Sequence, residues 1–122
     1  MKKVSVLSAF CYDNHMQKKV MIVVNVPTNE SDDMRDAIGK AGGGQIGNYS
    51  FCSFSIKGLG RSLPNDGANP TIGTPGILEI IEEERIEVSC NKRDAAAIVK
   101  IIKQTSTYEE PAIFVYPLLD FA

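Results

Sequence analysis

The order in which two apolar periodicities alternate along the chain is the strongest constraint on what it can fold into. Val20 to Val26 is a β-branched run broken only by Met21 and Asn25 and closed by Pro27, the pattern of a buried strand. The period then changes. Met34, Ala37, Ile38 and Ala41 recur at helical spacing, Thr28 can serve as N-cap, and Glu30, Asp32 and Asp33 suit the positive end of a helix dipole. Gly42-Gly43-Gly44 ends that helix. Ile46 to Ile56 alternates small polar with large apolar residues and is expected as strand two, bulged near Gly47 and Asn48. Leu78 to Cys90 is expected as strand three. Asn91 can cap a second helix, whose apolar face is Ala95, Ile98, Val99, Ile101 and Ile102, and Ala112 to Leu119 closes the chain as strand four.

The resulting order, β-α-β-β-α-β, is the split-βαβ signature of an α+β, ferredoxin-like sandwich with both helices on one face of the sheet. Between strands two and three lies Gly58 to Gly76, which holds five of the ten glycines and three of the six prolines, so no regular element is expected there. Structureless loops of that length inside a small domain are uncommon and are often functional. The sheet carries a second expectation. Strand one sets Val20, Ile22, Val24 and Val26 on one face and Met21 and Val23 on the other, while strand four sets Phe114 and Tyr116 opposite Ile113 and Val115. Helices cover one face only, so the open apolar face calls for a homo-oligomer.

Composition narrows the function classes. A net charge of −2 with scattered Lys and Arg gives no basic stripe for a phosphate backbone, so nucleic acid is not an expected partner. Apolar stretches fall well short of the roughly 20 residues that span a bilayer, so no membrane is expected either. Cys11, Cys52 and Cys90 lie far apart without paired spacing, which fits a reducing compartment. The Met-Lys-Lys start resembles a secretory signal, but Ser5, Ser8, Cys11, Tyr12 and Asp13 interrupt its apolar core, and the expected location is cytoplasmic. Residues 1–15 read as an extension, with Met16 as an alternative start and 16–122 as a single domain.

Four stretches together carry a family resemblance: IGNYSFCSF at Ile46 to Phe54, GANPTIGTPG at Gly67 to Gly76, LEIIEEERIE at Leu78 to Glu87, and YEEPAIFVYPL at Tyr108 to Leu118. They resemble the YqfO-type PII/CutA-like domain, which occurs alone or inserted in the GTP cyclohydrolase 1 type 2 homologues, also called NGG1-interacting-factor-like proteins. The last stretch is also similar to the end of CutA-type divalent-cation-tolerance proteins. The resemblance implies a trimer and a loop between strands two and three that meets partner proteins, its base helping to form ligand sites between subunits. In the parent family this domain sits beside a two-metal domain whose ligands are histidines and acidic residues, and the single histidine here, His15, supplies no such set. Family members usually carry His-Pro-Tyr-Glu-Glu before the last strand. Here Ser106-Thr107-Tyr108-Glu109-Glu110 stands in that place, so any role of that histidine is lost.

The candidate chemistry is binding rather than catalysis. The cysteines lack a partner base, and no nucleophile, carboxylate pair or metal-histidine set can be drawn from these residues. A non-catalytic module would use Arg61 as partner of a small anionic ligand, with Asn48 and Asn69 as polar contacts, or would offer its loop to a partner protein; a cofactor is not indicated. A CutA-like cation site would use Glu82, Glu84 and Glu109, because Glu82 and Glu84 interrupt the apolar row Leu78, Ile80, Ile86, Val88, Cys90. The competing reading pairs those carboxylates with Arg85 or leaves them in solvent. Gly42 to Gly47 could present backbone N–H groups as an anion nest, or could simply stop the helix. A domain with no ligand, serving oligomerisation alone, is the third reading.

Overall fold

The computed structural model describes residues 18–119 and residue 121; the expected extension 1–15, with Cys11 and His15, and the start at Met16 lie outside the described residues. The elements are β1 (Lys19–Pro27), α1 (Ser31–Lys40), β2 (Phe54–Ser62), β3 (Glu79–Asn91), α2 (Ala95–Thr105) and β4 (Ile113–Leu118). They form one antiparallel four-stranded sheet in the order β2-β3-β1-β4. β3 lies between β1 and β2, and β1 between β3 and β4, as the split-βαβ reading requires.

The register sorts the side chains. Val24 faces Ile86 and Ile113, and Ile22 faces Val88 and Val115, on the side that carries the helices. Ile22, Val24, Val26, Ile86 and Val88 meet Met34 and Ile38 of α1 and Ile98 and Ile102 of α2, and none of these side chains is more than 3% exposed. Each such burial contributes about 2 kcal/mol, so this one layer is where the fold gains its stability. Ala41, just past the end of α1, packs against the edge of this core.

Both helix starts differ from expectation. Neither Thr28 nor Asn91 caps through its side chain; a 3-10 turn, Thr28–Glu30 and Lys92–Asp94, leads into each helix, and the N–H groups of Ser31 and Ala95 bond to the carbonyls of Thr28 and Lys92. The tight turn gives the first helical N–H, one of the orphan donors that a side-chain cap would otherwise serve, a backbone acceptor.

Strand two is a correction of larger consequence. It runs from Phe54 to Ser62, not from Ile46 to Ile56, and so passes through Gly58 and Gly60 in what reads as loop. Residues 44–53 form instead a folded excursion. Positive φ angles at Gly44, Gly47 and Phe51 turn the backbone, Ile46 pairs with Tyr49 around Gly47-Asn48, and the Cys52 N–H returns to the Gly44 carbonyl. The Gly44 N–H is held by the Ser89 carbonyl at 2.8 Å, and a Cβ at Gly44 would overlap the Cys52 backbone. Gly58 and Gly60 can stay in the sheet because β3 offers a continuous partner. Only 63–78 remains as the connecting loop.

The open face carries large apolar side chains on its outer strands, as the alternation indicates, with Arg85, Glu87 and Ser89 of β3 between them. Val23 is fully buried there, yet Phe54, Ile56, Phe114 and Tyr116 are 64%, 47%, 52% and 41% exposed. Among the described residues no helix is long and apolar enough to cross a membrane.

Candidate functional site

β3 outruns its neighbour. Pro27, the end of β1, pairs with Glu83, so Glu79 to Glu82 pair only with residues 59–62 of β2 and the two strands project as a ribbon past the sheet. The loop 63–78 closes that ribbon and is tied back on itself by the Gly76 N–H to the Pro64 carbonyl at 2.8 Å. It then reaches the turn before β4. The Asn69 N–H donates to both oxygens of Glu109 at 3.1 Å, and the Thr71 hydroxyl donates to the Thr107 carbonyl at 2.5 Å. Thr107 is itself held by Glu30 at the start of the helix layer, its hydroxyl at 2.7 Å and its N–H at 3.3 Å from the carboxylate.

These contacts border an open cleft of about 900 Å³ between ribbon, loop and turn, whose lining includes Arg61, Ile81, Glu83, Tyr108 and Glu110. Arg61 is the one basic residue lining it and makes no ion pair among the described residues. Glu83 is part-buried and accepts a 2.6 Å hydrogen bond from the Tyr108 hydroxyl. Burial, and then the bond to Glu83, push the Tyr108 phenol well above its ordinary range, so it remains a donor at neutral pH. The Glu83 carboxylate lies over Gly60, where any Cβ would overlap it.

The candidate residues disperse. Arg61 lines the cleft, and Asn69 adjoins it through its N–H on Glu109. Asn48 sits exposed in the turn of the 44–53 excursion and is not among the lining residues. Glu84 faces the helices and is paired with Arg35 of α1 at 3.5 Å, whereas Glu82 is exposed on the ribbon opposite Leu59, and Glu109 belongs to the turn. Arg85, the cation beside them in sequence, binds Glu87 at 3.1 Å instead. Among the described residues no three His, Cys, Asp or Glu side chains come together to hold a metal. The Gly42-Gly43-Gly44 amides bond to the carbonyls of Gly39, Ile38 and Ser89, so they stop the helix and are not open to an anion. Cys90 is buried in the core, which pushes its thiol up and away from the reactive thiolate. Sequence reasoning missed Glu83, Tyr108 and Gly60. Tyr108 stood in a recognised stretch, but nothing in one dimension shows that it reaches β3.

Comparison with known proteins places this geometry. No protein-family model matches the chain. The chain is 44% identical over 97 residues to the GTP cyclohydrolase 1 type 2 homolog of Halalkalibacterium halodurans, a match that takes in 80% of this chain and 26% of that protein. A solved Bacillus cereus protein related to NIF3 superposes with a TM-score of 0.73 at 38% identity, over 84% of this chain and 26% of that one. This chain is a relative of that segment, and its fold is PII/CutA-like. It spans about a quarter of the length of the curated relatives it matches. At lower identity the likeness is one of fold. CutA from Synechococcus elongatus gives a TM-score of 0.63 at 12% identity, over 84% of this chain and 79% of that one. The Bacillus subtilis GlnK–ATP complex gives 0.57 at 13%, over 83% and 82%.

Proposed function

We propose that this chain is a non-catalytic, PII-like module that acts as a homo-oligomer, a trimer, and binds a small anionic ligand in the cleft at the base of its long loop. The cleft carries this reading: its volume of about 900 Å³ falls in the range of small-molecule sites, and its one lining cation, Arg61, makes no ion pair among the described residues. The likeness to GlnK, a protein solved with ATP, supports the ligand class at the level of fold. Phe54 and Ile56 on β2 and Phe114 and Tyr116 on β4 support the oligomer, since large apolar side chains exposed at both edges of one sheet face call for a cover. Ligand binding would reorder 63–78 and so change the affinity of a partner protein.

A divalent-cation site would need Glu82, Glu84 and Glu109 together, and Glu84 is turned to Arg35. Thermal-shift measurements with nucleotides and with divalent cations test the proposal, because a ligand that binds only the folded state raises the melting temperature. A nucleotide shift that disappears in Arg61→Ala supports it. A cation shift that disappears in Glu84→Gln supports the metal reading instead, and the absence of any shift leaves an oligomerisation domain.

A further inference from the structure

We infer that the loop 63–78 is a strap whose catch is the Glu109 carboxylate: while Glu109 grips the Asn69 amide the loop lies against the turn before β4, and loss of that grip frees the loop with sheet and turn left in place. The catch works without a ligand; its use as a gate to the cleft rests on the binding reading above.

Packing does not hold this loop. No residue of 63–78 is buried, and Leu63, Ile72, Ile77 and Leu78 are 40 to 59% exposed. A segment with so little buried apolar surface opens at little more than the cost of its hydrogen bonds. Several of those stay inside it: the Ala68 N–H bonds to the Asn65 carbonyl at 2.9 Å, the Gly76 N–H to the Pro64 carbonyl at 2.8 Å and the Ile77 N–H to the Thr74 carbonyl at 3.1 Å. These travel with the loop. Among the described residues, the bonds that tie it to another element are the Asn69 N–H on Glu109 and the Thr71 hydroxyl on the Thr107 carbonyl. The first ends on a carboxylate, and bonds to a charged acceptor are roughly twice as strong as neutral ones, so Glu109 carries the larger share.

The turn that bears the catch is fixed by other means. Thr107 bonds to Glu30 through its hydroxyl and its N–H, the Tyr108 N–H donates to the Ser106 hydroxyl at 3.2 Å, and the Tyr108 hydroxyl donates to Glu83 of β3 at 2.6 Å. None of these passes through Glu109. The strap and its catch also come from two stretches that stand out in the sequence, GANPTIGTPG and YEEPAIFVYPL. Leu63, Pro64, Pro70, Thr71 and Ile72 of the loop line the cleft, so the cleft has this lining only while the catch is closed. A ligand that bridges loop and sheet shifts the strap toward closed, and a partner protein that takes the freed loop shifts it toward open.

Limited proteolysis of the full chain by thermolysin, which cuts before large apolar residues such as the exposed Ile72 and Ile77, tests this. Where opening and closing outrun the protease, the cutting rate reports the open fraction. Glu109→Ala should speed cutting within 63–78 about tenfold, with the melting temperature unchanged. Glu109→Gln, which keeps a neutral acceptor, and Thr71→Val should each speed it less. Glu110→Ala, at a neighbouring carboxylate of the cleft lining, should leave it unchanged. An unchanged rate in Glu109→Ala overturns the inference. So does an equal rise in Glu110→Ala, which marks a general charge effect, or a matching rise of cutting in β1 and α2, which marks opening of the whole fold. A failed nucleotide screen beside the expected pattern removes the ligand reading and leaves the strap.

Discussion

The two faces of this sheet both carry large apolar residues and meet different fates. On one, Val24, Val26 and Ile86 are fully buried beneath α1 and α2; on the other, Phe54 and Phe114 remain more than half exposed. Period-two alternation loads both faces with apolar side chains, yet a β-α-β-β-α-β chain provides only two helices, both on one side. The difference teaches that alternation specifies what must be covered, and topology specifies what the chain itself can cover.

The largest effect belongs to the covered face. Ile98→Ala should cost about 3 to 4 kcal/mol in urea unfolding with an unchanged m value, since a fully buried branched side chain is lost and a cavity remains. A loss well under 1 kcal/mol would mean that the helix layer does not dominate stability. The open face should answer through association instead. Phe114→Asp is expected to weaken self-association by about a hundredfold, about 3 kcal/mol, read by light scattering across concentration, with little change in subunit unfolding. A wild-type chain that stays monomeric at micromolar concentration would break the comparison.

Tyr108→Phe probes the cleft end of the open face and should cost about 1 kcal/mol, because Glu83 loses its only hydrogen-bond donor among the described residues. It should also change the alkaline limb of the stability profile. The folded state holds the phenol above its ordinary value, so its contribution is full below about pH 10 and is lost as pH rises through the folded value. The Phe variant should lack that limb. The smallest effect is expected at Glu84, buried on the covered face but held by only a long contact to a partly exposed Arg35. Glu84→Gln should cost about 0.5 kcal/mol at low salt and less at high salt, since Arg35 keeps Asp32 at 2.6 Å when its 3.5 Å contact to Glu84 is weakened. A cost several times larger would show that Glu84 anchors α1 to the sheet.

Much of the fold was legible because its signals are local. Val20 to Val26 and the Met34 and Ile98 stripes state their periods within a few residues. Strand two misled for the same reason: Ile46 to Ser53 alternates like a strand, but the Cys52 N–H donates to the Gly44 carbonyl and closes the segment into an excursion. Gly58 and Gly60 mark a loop by composition and become strand because β3 lies beside them and the Glu83 side chain lies over Gly60. Of the candidate site, Arg61 was named for its charge in a glycine-rich setting. Glu83 and Tyr108 were not, since 25 residues separate partners that meet at 2.6 Å.

The sequence by itself determined the order of elements, the helix-facing core and the surplus of apolar residues on the second face, because each depends on spacing within one element. Only the tertiary structure decided that Glu84 answers Arg35 while Glu83 answers Tyr108. Neighbouring carboxylates on a strand point to opposite faces, and which partner waits on each face is set by how helix, loop and turn pack, which no local spacing encodes.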